Sequence, residues 1–373
     1  MNYQGQRQPT IGYDADRDQV WIIDQTRLPG EFVLCDLTNL EAAVRAIADM
    51  QVRGAPLIGA TAAFGLALEM RRDPSDAALA AAADLLVDAR PTAVNLAWAV
   101  ARMTEHLTPL PPAQRGKAAL ALSQEICRED EALCSAIGDH GLPLIQAIAE
   151  RRPGPVNVLT HCNAGALATL DWGTATAPIY KAFDAGIDIH VWVDETRPRN
   201  QGAALTAWEL GAHGVPHTVI VDNAGGHLMQ RGLVDLCLVG TDRTVASGDV
   251  CNKIGTYLKA LAAHDNQIPF YVCAPSPSID WDLSDGLSEI PIEQRDGSEI
   301  RWVAGVDRQG QAGEVDVVAA GSAVRNDAFD VTPARLVTGL ITERGICSAS
   351  SDGLAALFPD LARNAAAAGG AAP

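Results

Sequence analysis

Apolar and polar positions divide the chain into two kinds of text. Val20 to Asp24 and Glu31 to Leu37 are short β-like runs joined by a Pro29-Gly30 turn, which predicts a small antiparallel hairpin. From Asn39 to about Ile148, Ala, Leu, Glu and Arg recur at spacings of three and four, broken at Pro56, Pro91, Pro109, Pro111 and Pro112, as in a packed set of helices. Arg151-Arg152-Pro153-Gly154-Pro155 ends that pattern, and the domain boundary is expected there, because few contacts cross proline-rich polar segments. Beyond it, short apolar runs alternate with helical segments: Val156 to Thr160, Ile189 to Asp194, Thr218 to Asp222, Leu236 to Val239 and Phe270 to Cys273. Strand alternating with helix implies an α/β fold with a mostly parallel sheet. The expected organisation is therefore a hairpin-and-helix domain over residues 1–152, a sheet domain over 153–364 and a fraying Ala/Gly tail over 365–373.

The ends of the five runs carry the chemistry. They read Thr160-His161-Cys162-Asn163-Ala164-Gly165, Asp194-Glu195-Thr196-Arg197-Pro198, Asp222-Asn223-Ala224-Gly225-Gly226, Gly240-Thr241-Asp242-Arg243 and Ala274-Pro275-Ser276. In an open α/β sheet the carboxyl ends of the strands line the ligand crevice, so these segments are expected to meet around one site.

Composition narrows what the site can serve. Of 373 residues, 28 are Lys or Arg and 46 are Asp or Glu, a formal net charge of -18, so the mean field repels a polyanion and nucleic acid is not an expected partner. Apolar residues at 48% against 20% charged exclude general disorder. No apolar run approaches the roughly 20 residues that span a bilayer, so no membrane role is expected. The eight cysteines form no C-x-x-C pair and no signal-peptide text is present, which points to reduced thiols in a cytoplasm. Dinucleotide, phosphate-loop, zinc-protease and nucleophile-elbow motifs are all missing from the text.

Cys162 follows a strand and precedes Asn163-Ala164-Gly165, where helix-terminal N–H groups can favour a thiolate or hold an anion; the alternative is a small buried hydrophobe. Cys35, Cys127, Cys134, Cys237 and Cys273 lie in apolar text and read as structural. Asp242 leaves a buried strand toward the crevice, where burial can raise its pKa into the general-acid range, or else it caps a helix or pairs with Arg243. Arg53-Gly54-Ala55-Pro56, Arg90-Pro91-Thr92-Ala93 and Asn252-Lys253-Ile254-Gly255-Thr256 combine cations with close-approach backbone, which suits a phosphate ester. Gln201 offers hydroxyl contacts or is a loop amide. His161 adjoins Cys162, but adjacent strand residues point to opposite faces, so the two make a poor nucleophile–base pair. The histidines show no metal-ligand spacing beyond His213 and His217, which straddle a Gly214 turn, so neither metal nor cofactor is expected.

These segments carry a resemblance. Arg53-Gly54-Ala55-Pro56-Leu57-Ile58-Gly59, Arg90-Pro91-Thr92-Ala93-Val94-Asn95-Leu96, His161-Cys162-Asn163-Ala164-Gly165-Ala166-Leu167, Asp194-Glu195-Thr196-Arg197-Pro198 with Gln201-Gly202-Ala203, and Asn252-Lys253-Ile254-Gly255-Thr256-Tyr257 stand in the order found in the methylthioribose 1-phosphate isomerases. That group sits within the larger family that includes the regulatory subunits of the eukaryotic initiation guanine-nucleotide exchange factor. The similarity runs from about residue 20 to 360. It implies Cys162 and Asp242 as a catalytic pair, with Arg53, Gly54, Ala55, Arg90, Gln201, Asn252 and Lys253 on the substrate. It also implies a Rossmann-like second domain, a homodimer, and an aldose–ketose isomerase acting on a small sugar phosphate in methionine salvage. Isomerases of 5-deoxyribose 1-phosphate or ribose 1,5-bisphosphate share that chemistry, and a second cationic cluster, which the sequence does not display, would favour the bisphosphate. A phosphate-sensing regulator is the non-catalytic alternative.

Overall fold

The computed structural model describes residues 1–90 and 94–362. The 365–373 tail and Pro91-Thr92-Ala93 lie outside them.

The N-terminal part holds a three-stranded antiparallel sheet of Ile11–Asp14, Gln19–Ile23 and Leu34–Leu37 in chain order. The expected hairpin is its last two strands, joined by a longer loop over 24–33 than a tight Pro29-Gly30 turn gives. Ile11–Asp14 escaped the hydrophobic pattern because Gly12 supplies no side chain; a Cβ there would stand 2.5 Å from the Trp21 ring. Helices Leu40–Ala48, Ala55–Arg72, Asp76–Ala89, Val94–Leu107 and Pro112–Ala149 follow. Ala55–Arg72 is small and apolar around most of its circumference, so it forms the buried centre against which the others pack. Its proline, Pro56, starts the helix rather than breaking it, because first-turn N–H groups have no intrahelical partner to lose. The long helix Pro112–Ala149 serves both cores: Leu122 and Ile126 pack with the helical cluster, whereas Ile137 and Ile145 pack with Val156, Val158 and Val191 of the main sheet.

That sheet has seven strands in the order Gly345–Cys347, Gly339–Thr342, Phe270–Cys273, Leu236–Val239, Val156–Thr160, Ile189–Asp194, His217–Ile220. All neighbours are parallel except the first pair. The two strands at its far edge are four and three residues long and each begins with glycine, too short for an alternating signal. Numbered along the chain, the six parallel strands run 6-5-4-1-2-3, the doubly wound Rossmann order. The order reverses between Val156–Thr160 and Leu236–Val239, which pair at Val158–Leu236 and Leu159–Cys237. Ligands bind beyond the carboxyl ends of strands at such a switch point. Cys162 and Asp242 follow those two strands.

A second sheet, in the order Ile279–Asp280, Arg243–Val245, Val250–Lys253, Phe329–Thr332, rises from the same edge. Its hairpin pairs Arg243 with Cys251, which returns Asn252 and Lys253 to the neighbourhood of Asp242.

Candidate active site

Cys162 is held by the backbone and by three side chains. Its φ of +65° lies in the left-handed region, uncommon for a residue with a Cβ and frequent at functional sites. Its N–H donates to Thr196 Oγ1 at 2.8 Å, and its carbonyl accepts from Thr206 Oγ1 at 2.6 Å. Sγ donates to Gln201 Oε1 at 3.3 Å. Burial pushes this thiol up from its ordinary pKa, while Arg53 and Lys253 pull it down and Asp242 adds to the rise. The resting side chain is therefore a neutral, buried thiol whose hydrogen faces an amide oxygen, rather than the thiolate that the sequence allowed.

Asp242 neither caps a helix nor pairs with Arg243. It precedes a strand, its N–H donates to Cys251 O at 3.0 Å, and Arg243 turns to Asp280 at 3.4 Å. Its carboxyl faces the cleft without a hydrogen-bond partner among the described residues. Burial raises its pKa above the ordinary 3.8, against the pull of Lys253, Arg53 and Arg90. That shift moves the carboxyl toward the acid form that a general acid requires.

The cationic wall comes from three distant segments. Arg53 is buried; its Nη1 donates to Asn163 O at 2.8 Å and to Asn163 Oδ1, and its buried Nε has no partner among the described residues. Gly54 then begins helix Ala55–Arg72 with no side-chain cap. Its φ of +96°, and the 2.4 Å that a Cβ would leave to Ala168 O, make glycine the residue that fits. Lys253 Nζ donates to Ala328 O at 2.9 Å and lies 4.5 Å from the Phe329 ring centre, while Asn252 Nδ2 donates to Thr256 Oγ1 at 3.0 Å. Arg90 Nε is also buried and has no hydrogen-bond partner among the described residues, with its guanidinium 3.9 Å from Glu293. Arg53, Gly54, Ala55, Arg90, Cys162, Gln201, Asp242 and Lys253 line one continuous cleft, and Asn252 lines its inner lobe, so all nine residues singled out in the sequence meet.

The cleft holds more than the sequence disclosed. Arg199, Arg243 and Arg295 also line it, which corrects the expectation of no further cationic cluster; they come from separate segments and only the fold assembles them. Each faces a carboxylate: Arg199 and Arg295 bind Glu299 at 3.1 and 2.7 Å, and Arg295 binds Glu293 at 2.9 Å. Burial would raise Glu299, but Arg295, Asn326 and Arg199 hold it at about 2, so it stays ionised and neutralises this wall. Met50, Ile58, Val94, Ile290, Pro291 and Phe329 give the cleft an apolar side. Arg295 and Glu299 stand four residues apart on the chain, a spacing that does not by itself mark a cleft.

His161 makes no hydrogen bond to Cys162 among the described residues, although both line the inner lobe and lie past the end of the strand at Thr160. Its Nδ1 faces Asp194 Oδ2 at 2.8 Å and its Nε2 faces Ile254 O at 2.8 Å, so both ring nitrogens are committed to acceptors. His161, Asp194 and Asp222 bring potential metal-ligating atoms within 4.8 Å of one another. Lys259 already supplies the cation there, with Nζ 3.1 Å from Asp194 Oδ2 and donating to the Asp222 carbonyl. The cluster ties the Cys162 strand to the loop that follows Lys253.

The family model for the initiation factor 2 subunit family matches residues 51–349. The chain belongs to that family. Over its whole length it is 61% identical to the methylthioribose-1-phosphate isomerase of Rhodospirillum rubrum, covering 97% of that protein. The enzyme of the same name from Escherichia coli is 59% identical, with 97% of each chain covered. Among solved structures, the 5-methylthioribose 1-phosphate isomerase of Pyrococcus horikoshii superposes with a TM-score of 0.80 at 38% identity, over 95% of this chain and 96% of that one. The delta subunit of translation initiation factor eIF-2B from A. fulgidus gives 0.79 at 35% identity, over 95% and 100%.

Proposed function

We propose that this chain is an aldose–ketose isomerase that converts 5-methylthioribose 1-phosphate into 5-methylthioribulose 1-phosphate in methionine salvage, and that Asp242 and Cys162 carry the reaction. The single observation behind the roles is the meeting, at the switch point, of a carboxyl with raised pKa, a neutral thiol and a partly unpartnered cationic wall. The relatives at about 60% identity supply the substrate. The regulator reading is weaker: it leaves the raised acid and the held thiol without a task, and the relative named as an initiation factor is the more distant one.

The chemistry follows from the substrate. A phosphate on the anomeric oxygen prevents spontaneous ring opening, so an acid must break the C1–ring-oxygen bond. Asp242 gives its proton to the ring oxygen, that bond breaks, and positive charge develops at C1. Arg53, Arg90, Asn252, Lys253 and the N–H groups beyond Gly54 hold the phosphate. A neutral thiol is a poor base for a C–H bond, which favours hydrogen moving from C2 to C1 as hydride, with the polarisable Cys162 sulfur stabilising the charge and the C2 hydroxyl proton returning to Asp242. The product then has a carbonyl at C2 and a CH2 at C1, and the acid is regenerated. Gln201 keeps the thiol hydrogen occupied and serves the sugar hydroxyls; the apolar side of the cleft takes the methylthio group. We further propose, from the family resemblance, a cytoplasmic homodimer working without a cofactor.

Turnover in D2O tests this reading. The hydride route predicts ketose with no solvent deuterium at C1, and substrate deuterated at C2 gives product with the label at C1. Solvent deuterium at C1 in every turnover would instead make Cys162 a base that exchanges its proton, and would overturn the hydride step.

A further inference from the structure

We infer that Glu209 is a positioning residue which, acting through Asn163, holds the Arg53 guanidinium in the geometry that receives the substrate phosphate. The inference rests on the proposal that Arg53 binds that phosphate.

Glu209 lies on the helix Ala207–His213 with 0% of its surface exposed and is not among the residues that line the active-site cleft. Oε1 accepts from Asn163 Nδ2 at 3.0 Å and Oε2 accepts from the Leu167 N–H at 3.1 Å. The loop passes over the carboxylate at Gly165, where an added Cβ would stand 1.3 Å from Oε1, so the backbone itself is shaped around this acid. A carboxylate so buried is costly, and an apolar side chain of like size would fill the space at less expense to the fold. Its position between the loop and the cation gives it a task.

That task is directional. The Asn163 NH2 group faces two acceptors, Glu209 Oε1 and Thr206 Oγ1 at 3.1 Å, so its amide oxygen must point the other way. There it accepts from Nη1 of Arg53, a residue whose Nε has no partner among the described residues. In its ionised form Glu209 also polarises the amide, strengthening the acceptor that Arg53 sees. Burial pushes Glu209 up to about 7, while the Leu167 N–H, the N-terminal amine, Asn163 and Arg53 pull it down.

The local backbone serves the same end. Gly202–Thr206 is a π-helical turn, a form that recurs at functional sites because its wider step re-aims side chains. Gln201 before it reaches Cys162 Sγ, Thr206 at its end reaches Cys162 O and Asn163, and Glu209 reaches Asn163. One element therefore orients both the thiol and the cation.

The test is Glu209→Gln, with Arg53→Lys as the reference, read by calorimetric titration with inorganic phosphate and by steady-state kinetics. A glutamine keeps the volume but cannot accept from both the Asn163 amide and the Leu167 N–H without turning its own NH2 toward a donor. Phosphate affinity is expected to fall by about tenfold, in the range of lost supporting contacts behind a binding group. KM should rise by a similar factor while kcat changes far less, because a phosphate contact is made equally in ground and transition states. A folded Glu209→Gln protein with unchanged phosphate affinity, beside an Arg53→Lys protein that has lost it, overturns the positioning role and leaves the phosphate reading intact. Unchanged affinity in Arg53→Lys overturns the phosphate reading itself, and this inference with it. Should Glu209→Gln fail to fold, Asn163→Ser cuts the same link and must give the same loss; unchanged phosphate affinity there overturns the inference.

Discussion

Asp242→Asn is expected to lower kcat by about 10²–10⁴, the usual contribution of a general acid, without weakening the fold. Asparagine keeps the shape and still offers an N–H to a ring oxygen, but it has no proton to give when the C1–oxygen bond breaks. The stability side follows from linkage. Burial holds the native carboxyl above its ordinary 3.8, so the folded protein binds that proton more tightly than the unfolded chain does. Stability therefore falls as pH rises from about 3.8 through the folded pKa, and the deficit persists at neutral pH. Removing the carboxyl removes the deficit, so the Asp242→Asn protein should melt at or above the parent temperature at pH 7. In the parent, kcat/KM should fall on the alkaline side as Asp242 loses its proton, and the Asn variant should lack that limb. Steady-state kinetics and thermal melts over pH check both. Parental kcat in a folded Asp242→Asn protein would remove Asp242 from the mechanism.

Cys162→Ser is expected to cost about 10² in kcat, with KM changed little. The hydroxyl can still donate to Gln201 Oε1 and the backbone contacts to Thr196 and Thr206 do not involve the side chain, so the loop keeps its form. What is lost is a large, polarisable atom beside the developing charge, and a hard, small oxygen does not replace it. A loss confined to KM would place Cys162 among the binding residues instead.

Much of this site was legible in the sequence, and for an identifiable reason. Strand ends at a switch point are polar or glycine-rich because they leave the sheet toward the crevice, so Thr160 to Gly165 and Gly240 to Arg243 stood out from the apolar runs before them. Helix starts with proline in the first turn, at Pro56 and Pro112, were readable as breaks but not as beginnings, because the text marks a discontinuity without its sense. The arginine wall was not legible: Arg199, Arg243 and Arg295 lie on segments far apart in the chain, and a solvated arginine and a cleft arginine look alike in sequence. Glu209 was hidden for a similar reason. In Ala207 to His213 it reads as one acid on a short helix, and only the approach of Gly165 shows that it faces inward.

The arginine wall bears on substrate choice. Glu299 and Glu293 already neutralise Arg199 and Arg295, so a second phosphate would have to displace a carboxylate held ionised near 2, whereas a methylthio group meets the apolar residues at no such cost. The most direct measurement is turnover of the purified protein with 5-methylthioribose 1-phosphate beside 5-deoxyribose 1-phosphate and ribose 1,5-bisphosphate, with the ketose product detected. The account predicts the highest kcat/KM for the methylthio sugar and the lowest for the bisphosphate. Preference for the bisphosphate, or binding of all three sugars without turnover, would contradict it.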